Sequence, residues 1–168
     1  MKIEVNVVNK TLKIDGVVYP CAIGKNGYIA EIEGREGDGK TPLGQYAVRY
    51  GFYREDRVDL PMCSLVMHVT QADDGWCDAS DNSAYNLPVR LPYPASTEAL
   101  YRDSHVYDIV LVLGHNDSPP IPDMGSAIFI HVARDGYAPT QGCVAVSIKD
   151  MLEILPKLSK TSVIEIRD

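Results

Sequence analysis

The segment Ile128–Val146, IFIHVARDGYAPTQGCVAV, decides the reading of this chain. Ile128, Phe129 and Ile130 read as a strand carrying His131, and Val144 to Val146 read as the next element, directly after Cys143. The connector ARDGYAPTQG contains Gly136, Pro139 and Gly142, residues of a loop that folds back, so distance along the sequence does not separate His131 from Cys143 in space. A thiol of ordinary pKa is only a few per cent thiolate at neutral pH, and an adjacent imidazole takes its proton and holds the resulting ion pair. Gly142, lacking a Cβ, lets the backbone turn sharply before Cys143 and leaves the amides of Gly142 and Cys143 facing a reacting carbonyl. Taken alone, the pair also fits a buried structural thiol and a packed histidine at a strand end.

More than the pair is present. TQGCVAV behind a strand-borne His131 resembles the active-site signature of the YkuD family of L,D-transpeptidases, a histidine followed by a loop and then Ser or Thr, a variable residue, Gly and Cys. The matching positions are His131, Thr140, Gln141, Gly142 and Cys143. GDGKTPLGQYAV resembles the family's Thr-Pro-x-Gly entry into a central strand. GWCDASDNSAYNLPV, YDIVLVLGHN and GSAIFIH resemble segments of its short, single-domain branch, so the likeness runs from about residue 25 to the C-terminus. Ala145 stands where many relatives carry arginine, which leaves Arg134 as the nearest residue for that anchoring role, and Gln141 replaces a frequent His, Lys or Ser.

The resemblance implies an α+β, mostly β, sandwich-like fold with a few short helices. It implies a cysteine L,D-transpeptidase that cross-links peptidoglycan stem peptides through a thioester, making 3→3 or 1→3 linkages. Cys143 would be the nucleophile, His131 the acid and base, and Gly142 part of the oxyanion site. Thr140, Gln141, Arg134, His115, Asn116, Trp76 and Tyr85 would contact substrate. No cofactor is implied, a carbapenem-type β-lactam is the expected covalent inhibitor, and the cell envelope or periplasm is the expected location. Two alternatives stay open: an L,D-carboxypeptidase acting on the same stems, and a catalytically silent peptidoglycan-binding domain.

A phosphate-loop pattern, GREGDGKT from Gly34 to Thr41, fails on mechanism. Such a loop opens a helix, yet Pro42, Leu43 and Gly44 lead into the strand-like QYAVRY, and Glu36 and Asp38 bring negative charge where phosphate would sit. It reads as a Gly-rich turn between strands. The 168 residues, 45% hydrophobic, suit one domain over 1–168. A formal charge of −7 argues against a nucleic-acid partner, since that affinity rests on clustered Lys and Arg. Cys21, Cys63, Cys77 and Cys143 show no CxxC spacing, and no pair among His115, His131, Asp135 and Cys143 has ligand spacing, so no metal site is expected. The N-terminus has no signal-peptide h-region, and no apolar run, the longest aliphatic one being Ile109–Leu113, spans a bilayer.

Strands are expected at 3–8, 11–14, 17–23, 28–33, 45–51, 65–70, 106–113, 127–132 and 162–166, with a hairpin turn at Asp15-Gly16. A helix is expected from Ser147, capped by its side chain and ended or kinked by Pro156, and a second from Ser96 over STEALYR. His115 and Asn116 follow an apolar strand, where a strand delivers polar groups to a site. The long connector from Gln71 to Pro94 reads either as a wall over the cleft, with Trp76, Asp78, Tyr85 and Asn86 as contacts, or as a surface excursion packed by Trp76 and Tyr85.

Overall fold

The computed structural model describes residues 1–168. The alternating N-terminal segment forms β1 (Lys2–Asn6), β2 (Thr11–Ile14) and β3 (Val17–Pro20). Ile3, Val5, Leu12 and Ile14 are buried while Lys2 and Lys13 are exposed, the two-residue period of a sheet with one wet face. Asp15 and Gly16, at φ 50° and 79°, close the β2–β3 hairpin where the sequence places it. β3 stops at Pro20, because the chain then leaves its partner strand.

β4 (Tyr28–Ala30) leads through a 3-10 turn and the Gly34–Lys40 loop into β5 (Thr41–Tyr53), far longer than the Gln45–Gly51 the sequence suggested. β6 (Met67–Val69) pairs with the end of β5. The expected connector then resolves into β7 (Asp74–Cys77) and β8 (Pro88–Arg90), which with β9 (Thr97–Ala99) make a separate three-stranded antiparallel sheet. β9 corrects the helix expected at Ser96: Thr97, Glu98 and Ala99 pair with Cys77, Trp76 and Gly75, and that tertiary ladder overrides a local capping pattern.

β10 (Ile109–Leu113) and β11 (Phe129–Val132) form an antiparallel pair, and β12 (Val144–Val146) runs parallel to β11. α1 (Ile148–Ile154) follows, its N-cap Ser147 side chain accepting from the Asp150 amide, and Pro156 sits in the 3-10 turn that ends it. β13 (Val163–Arg167) lies between β1 and β5.

The large sheet runs β12-β11-β10-β5-β13-β1-β2-β3. Beyond β3, Ala22 exchanges two backbone hydrogen bonds with Ala145 of β12, at 2.8 and 3.0 Å, so the ends of the sheet meet and it closes in a barrel-like manner. β5 is long because it serves both halves: Gly44–Ala47 pairs with β13, and the stretch from Val48 to Tyr53 pairs with β10. Ile109, Leu111, Leu113, Ile130, Val132, Val144 and Val146 point into the main core together with Met151 and Ile154 of α1. The opposite face of the same strands, Val110, Val112, Phe129 and Cys143, packs with Phe52, Trp76, Leu100 and Tyr107. The small sheet is therefore a cover laid over the outer face of β10, β11 and β12. No helix is long and apolar enough to cross a membrane.

Candidate active site

Register brings the two key residues together. In the parallel β11–β12 pair Ile130 lies opposite Val144 and His131 opposite Ala145, so Cys143, one step earlier, lies beside Phe129. Opposed residues share a face, as do residues two apart, and Cys143 and His131 become diagonal neighbours on one face. Both line one cavity of about 450 Å³.

The turn before Cys143 is tightly held. Gly142 has φ 134°, and a Cβ there would lie 2.7 Å from the Lys40 carbonyl oxygen. The Thr41 hydroxyl accepts from the Gly24 amide (2.8 Å) and donates to the Gly142 carbonyl (2.9 Å). The false phosphate loop is thus the back wall of the cysteine turn. The Thr140 hydroxyl donates to the Cys143 carbonyl (2.6 Å) and accepts from the Gly142 amide (3.1 Å). Thr140 thus holds the turn with its hydroxyl, and the Gly142 N–H is engaged, which leaves the Cys143 amide as the unengaged donor of the pair.

Burial opposes charge on both the Cys143 and the His131 side chain. Burial pushes the Cys143 thiol up to about 12, with the Glu98 carboxylate adding to the effect. The thiol donates to the Ala127 carbonyl (3.2 Å) and accepts from the Phe129 amide (3.4 Å). Burial likewise pulls His131 down to about 4, the Val132 carbonyl opposing that fall and the Arg134 charge reinforcing it. His131 Nδ1 is 2.9 Å from the Val132 carbonyl, which only accepts, so Nδ1 carries the proton and Nε2 is left as the base. With so little water, separated charges on this pair are disfavoured.

Of the expected contacts, Thr140, His115, Gln141 and Arg134 also line the cavity, Gln141 and Arg134 at its exposed lip and Thr140 and His115 deep in its wall. Asn116, Trp76 and Tyr85 do not line it. Asn116, at φ 46°, holds its own loop through Ile121 and the Gly125 carbonyl. Trp76 packs edge-on against Phe129 at 5.1 Å and donates to Asn86, while Tyr85 donates to Glu36 at 2.6 Å. Asn86 also receives the Ala127 amide and donates to the His115 and Asn116 carbonyls. These residues build the walls, and from the Gln71–Pro94 segment Asp78 lines the cavity.

Among the cavity residues that escaped the sequence reading are Glu98, Arg102 and Tyr107. The Tyr107 ring meets His131 edge-on at 5.3 Å, its hydroxyl donates to Glu98 (2.7 Å), and Arg102 lies 4.2 Å over the ring while bonding Glu98 at 2.8 Å. Burial raises the Glu98 carboxyl. In the sequence, Glu98 and Arg102 fall in the STEALYR segment expected as a helix, where nothing marks them as part of a site.

The two deep histidines make stability depend on pH. His115 is also pulled to about 4 by burial. In the unfolded chain both titrate near 6.5, so as pH falls from about 6.5 to 4 the unfolded state binds protons the folded state refuses, and stability is lost. The expected loss is on the order of 3 kcal/mol per histidine. Thermal melts across that range test it, and about half of the loss should vanish in His115→Gln.

Comparison with known proteins fits this geometry. The model of the L,D-transpeptidase catalytic domain, YkuD, matches residues 2–166. The chain belongs to this family. Among solved structures, L,D-transpeptidase 3 from Mycobacterium tuberculosis is similar in fold, with a TM-score of 0.50 and 13% identity over 99% of this chain and 60% of that one. An L,D-transpeptidase from Mycobacterium smegmatis matches with a TM-score of 0.46 and 15% identity over 99% of this chain and 58% of that one. A third, L,D-transpeptidase 3 from Mycobacterium tuberculosis in complex with a faropenem-derived adduct, matches with a TM-score of 0.47 and 14% identity over 99% and 60%. This L,D-transpeptidase domain spans about three-fifths of the length of these structures. No curated protein sequence matches.

Proposed function

We propose that the domain is a cysteine L,D-transpeptidase acting on peptidoglycan stem peptides, through a thioester on Cys143. The observation that carries this reading is the shared face of β11 and β12, on which Cys143 and His131 line one cavity. Because both groups start neutral, the Sγ proton passes to His131 Nε2 as Sγ attacks the carbonyl between an L- and a D-centre. The Cys143 amide is placed to receive the oxyanion. The intermediate collapses with cleavage of the C–N bond, His131 protonates the departing amine, and the thioester remains.

The amine of a diaminopimelate side chain on a second stem then attacks. His131 takes its proton and passes it to Sγ as the C–S bond breaks, which yields the cross-link. Water in place of the amine yields the shortened stem of a carboxypeptidase. A carbapenem-type β-lactam belongs to the same proposal, since opening its strained ring by Sγ gives an acyl-enzyme whose leaving nitrogen stays tethered. The substrate's place in the cell envelope is where this reading puts the domain to work.

The test is intact mass spectrometry after incubation with disaccharide tri- and tetrapeptides, with soluble products analysed in parallel. A cross-linked dimer is the expected product, and its fragmentation distinguishes 3→3 from 1→3. Shortened stems without dimer would mean a carboxypeptidase, and unchanged substrate would mean a binding domain.

A further inference from the structure

Four buried side-chain polar atoms in the molecule have no hydrogen-bond partner: Thr70 Oγ1, Asp78 Oδ1, His115 Nδ1 and Ser126 Oγ. Asp78, His115 and Ser126 all line the Cys143 cavity. Leaving a buried polar group unpaired is costly, and proteins rarely tolerate it without a use, so three converging on one cavity mark the complement of a ligand's own polar groups. His115 is only 4% exposed and Ser126 9%, so both belong to a formed interior wall rather than to a wet surface.

Asp78 sets the chemistry of that ligand. In the β7–β9 ladder Trp76 lies opposite Glu98, and Asp78, two residues beyond Trp76, shares their face, the face that Trp76 packs against Phe129. Two carboxylates therefore hang from the small sheet over the cysteine side of β11 and β12. Their circumstances differ. Glu98 is answered by the Tyr107 hydroxyl and by Arg102, whereas Asp78 takes part in no ion pair and no side-chain hydrogen bond. A half-buried carboxylate with no protein cation beside it is set up to receive a cation from outside.

We propose that Asp78 is the anchor for the primary ammonium group of the second substrate, the stem whose amine takes the acyl group from Cys143. This rests on the acyl-transfer reading above. An aliphatic amine of that kind is almost wholly protonated at neutral pH, so it enters the cavity as a cation. Asp78 captures that form, and the extra proton leaves to solvent before the amine attacks. Asp78 binds and orients, while the proton transfers of the reaction remain with His131.

The test is calorimetric titration of a disaccharide-tripeptide ending in diaminopimelate onto Cys143→Ala, where no chemistry intervenes, and onto Cys143→Ala/Asp78→Asn. The same ligand with its free amine acetylated is titrated in parallel. Asp78→Asn is expected to weaken the amine ligand at least tenfold and to change the acetylated ligand by less than twofold. Equal losses for both ligands, no loss for either, or no difference between the amine and its acetylated form on the Asp78 protein would overturn the proposal. Asp78→Ser, expected to give the same pattern, guards against a fold defect peculiar to the asparagine. Amine-dependent binding through Asp78 together with a wild type that forms no thioester would overturn the acyl-transfer reading and leave the cation subsite standing.

Discussion

Cys143→Ala is expected to lower donor turnover by at least ~10⁴-fold, the scale on which loss of a nucleophile acts in covalent catalysis. The loss should be clean, because Cys143 is 7% exposed, its thiol makes only two weak hydrogen bonds, and alanine leaves the strand pairing intact. The wild-type pH profile should carry the signature of a neutral resting pair. With His131 near 4 and Cys143 near 12, kcat/KM should stay level through neutral pH and fall on the acid side as His131 takes a proton. A preformed thiolate–imidazolium pair would instead place its lower limb at the thiol and its upper limb at the imidazole. Initial rates of stem cleavage between pH 3.5 and 9 distinguish the two, and an acid limb centred near 6.5 would contradict the burial described here.

The second large effect is expected at Gly142→Ala. Its φ of 134° is open only to glycine in practice, and the added methyl would lie 2.7 Å from the Lys40 carbonyl, a backbone atom that cannot swing away. Relief requires the cysteine turn and the Gly34–Lys40 loop to part, which breaks the Thr41 bridge between the Gly24 amide and the Gly142 carbonyl. The expected cost is about 3 kcal/mol. In a domain of this size that is a melting temperature lower by roughly 6–12 °C. Activity should fall by more than the stability loss explains, because Cys143 rides on the displaced turn. A variant melting within about 1 °C of wild type would show that the loop yields cheaply.

Most of the architecture was legible because it rests on local alternation and on turn residues. The strands around His131 and Cys143, the Asp15-Gly16 hairpin and the Ser147 cap were each carried by a few neighbouring residues. What escaped was decided at a distance. Thr97–Ala99 is a strand because β7 lies beside it, and no local pattern around Ser96 records that partner. Trp76 and Tyr85 had the chemistry of substrate contacts, yet an aromatic wall and an aromatic ligand site share one composition, and only packing against Phe129 and Glu36 separates them. The depth at which Cys143 and His131 are buried escaped for the same reason. The spacing brings them together, but how far water is excluded depends on the small sheet above them.

β1 and β13 are parallel neighbours, Val5 beside Ile166, and β13 in turn separates β1 from β5. The central sheet therefore has a gap until the last of these residues has left the ribosome, and the Thr41 wall behind Gly142 has no finished sheet to lean on. During synthesis the chain exposes a reactive-looking sequence without a working centre. Closing that gap joins strands separated by nearly the whole chain, which makes it a slow step of folding.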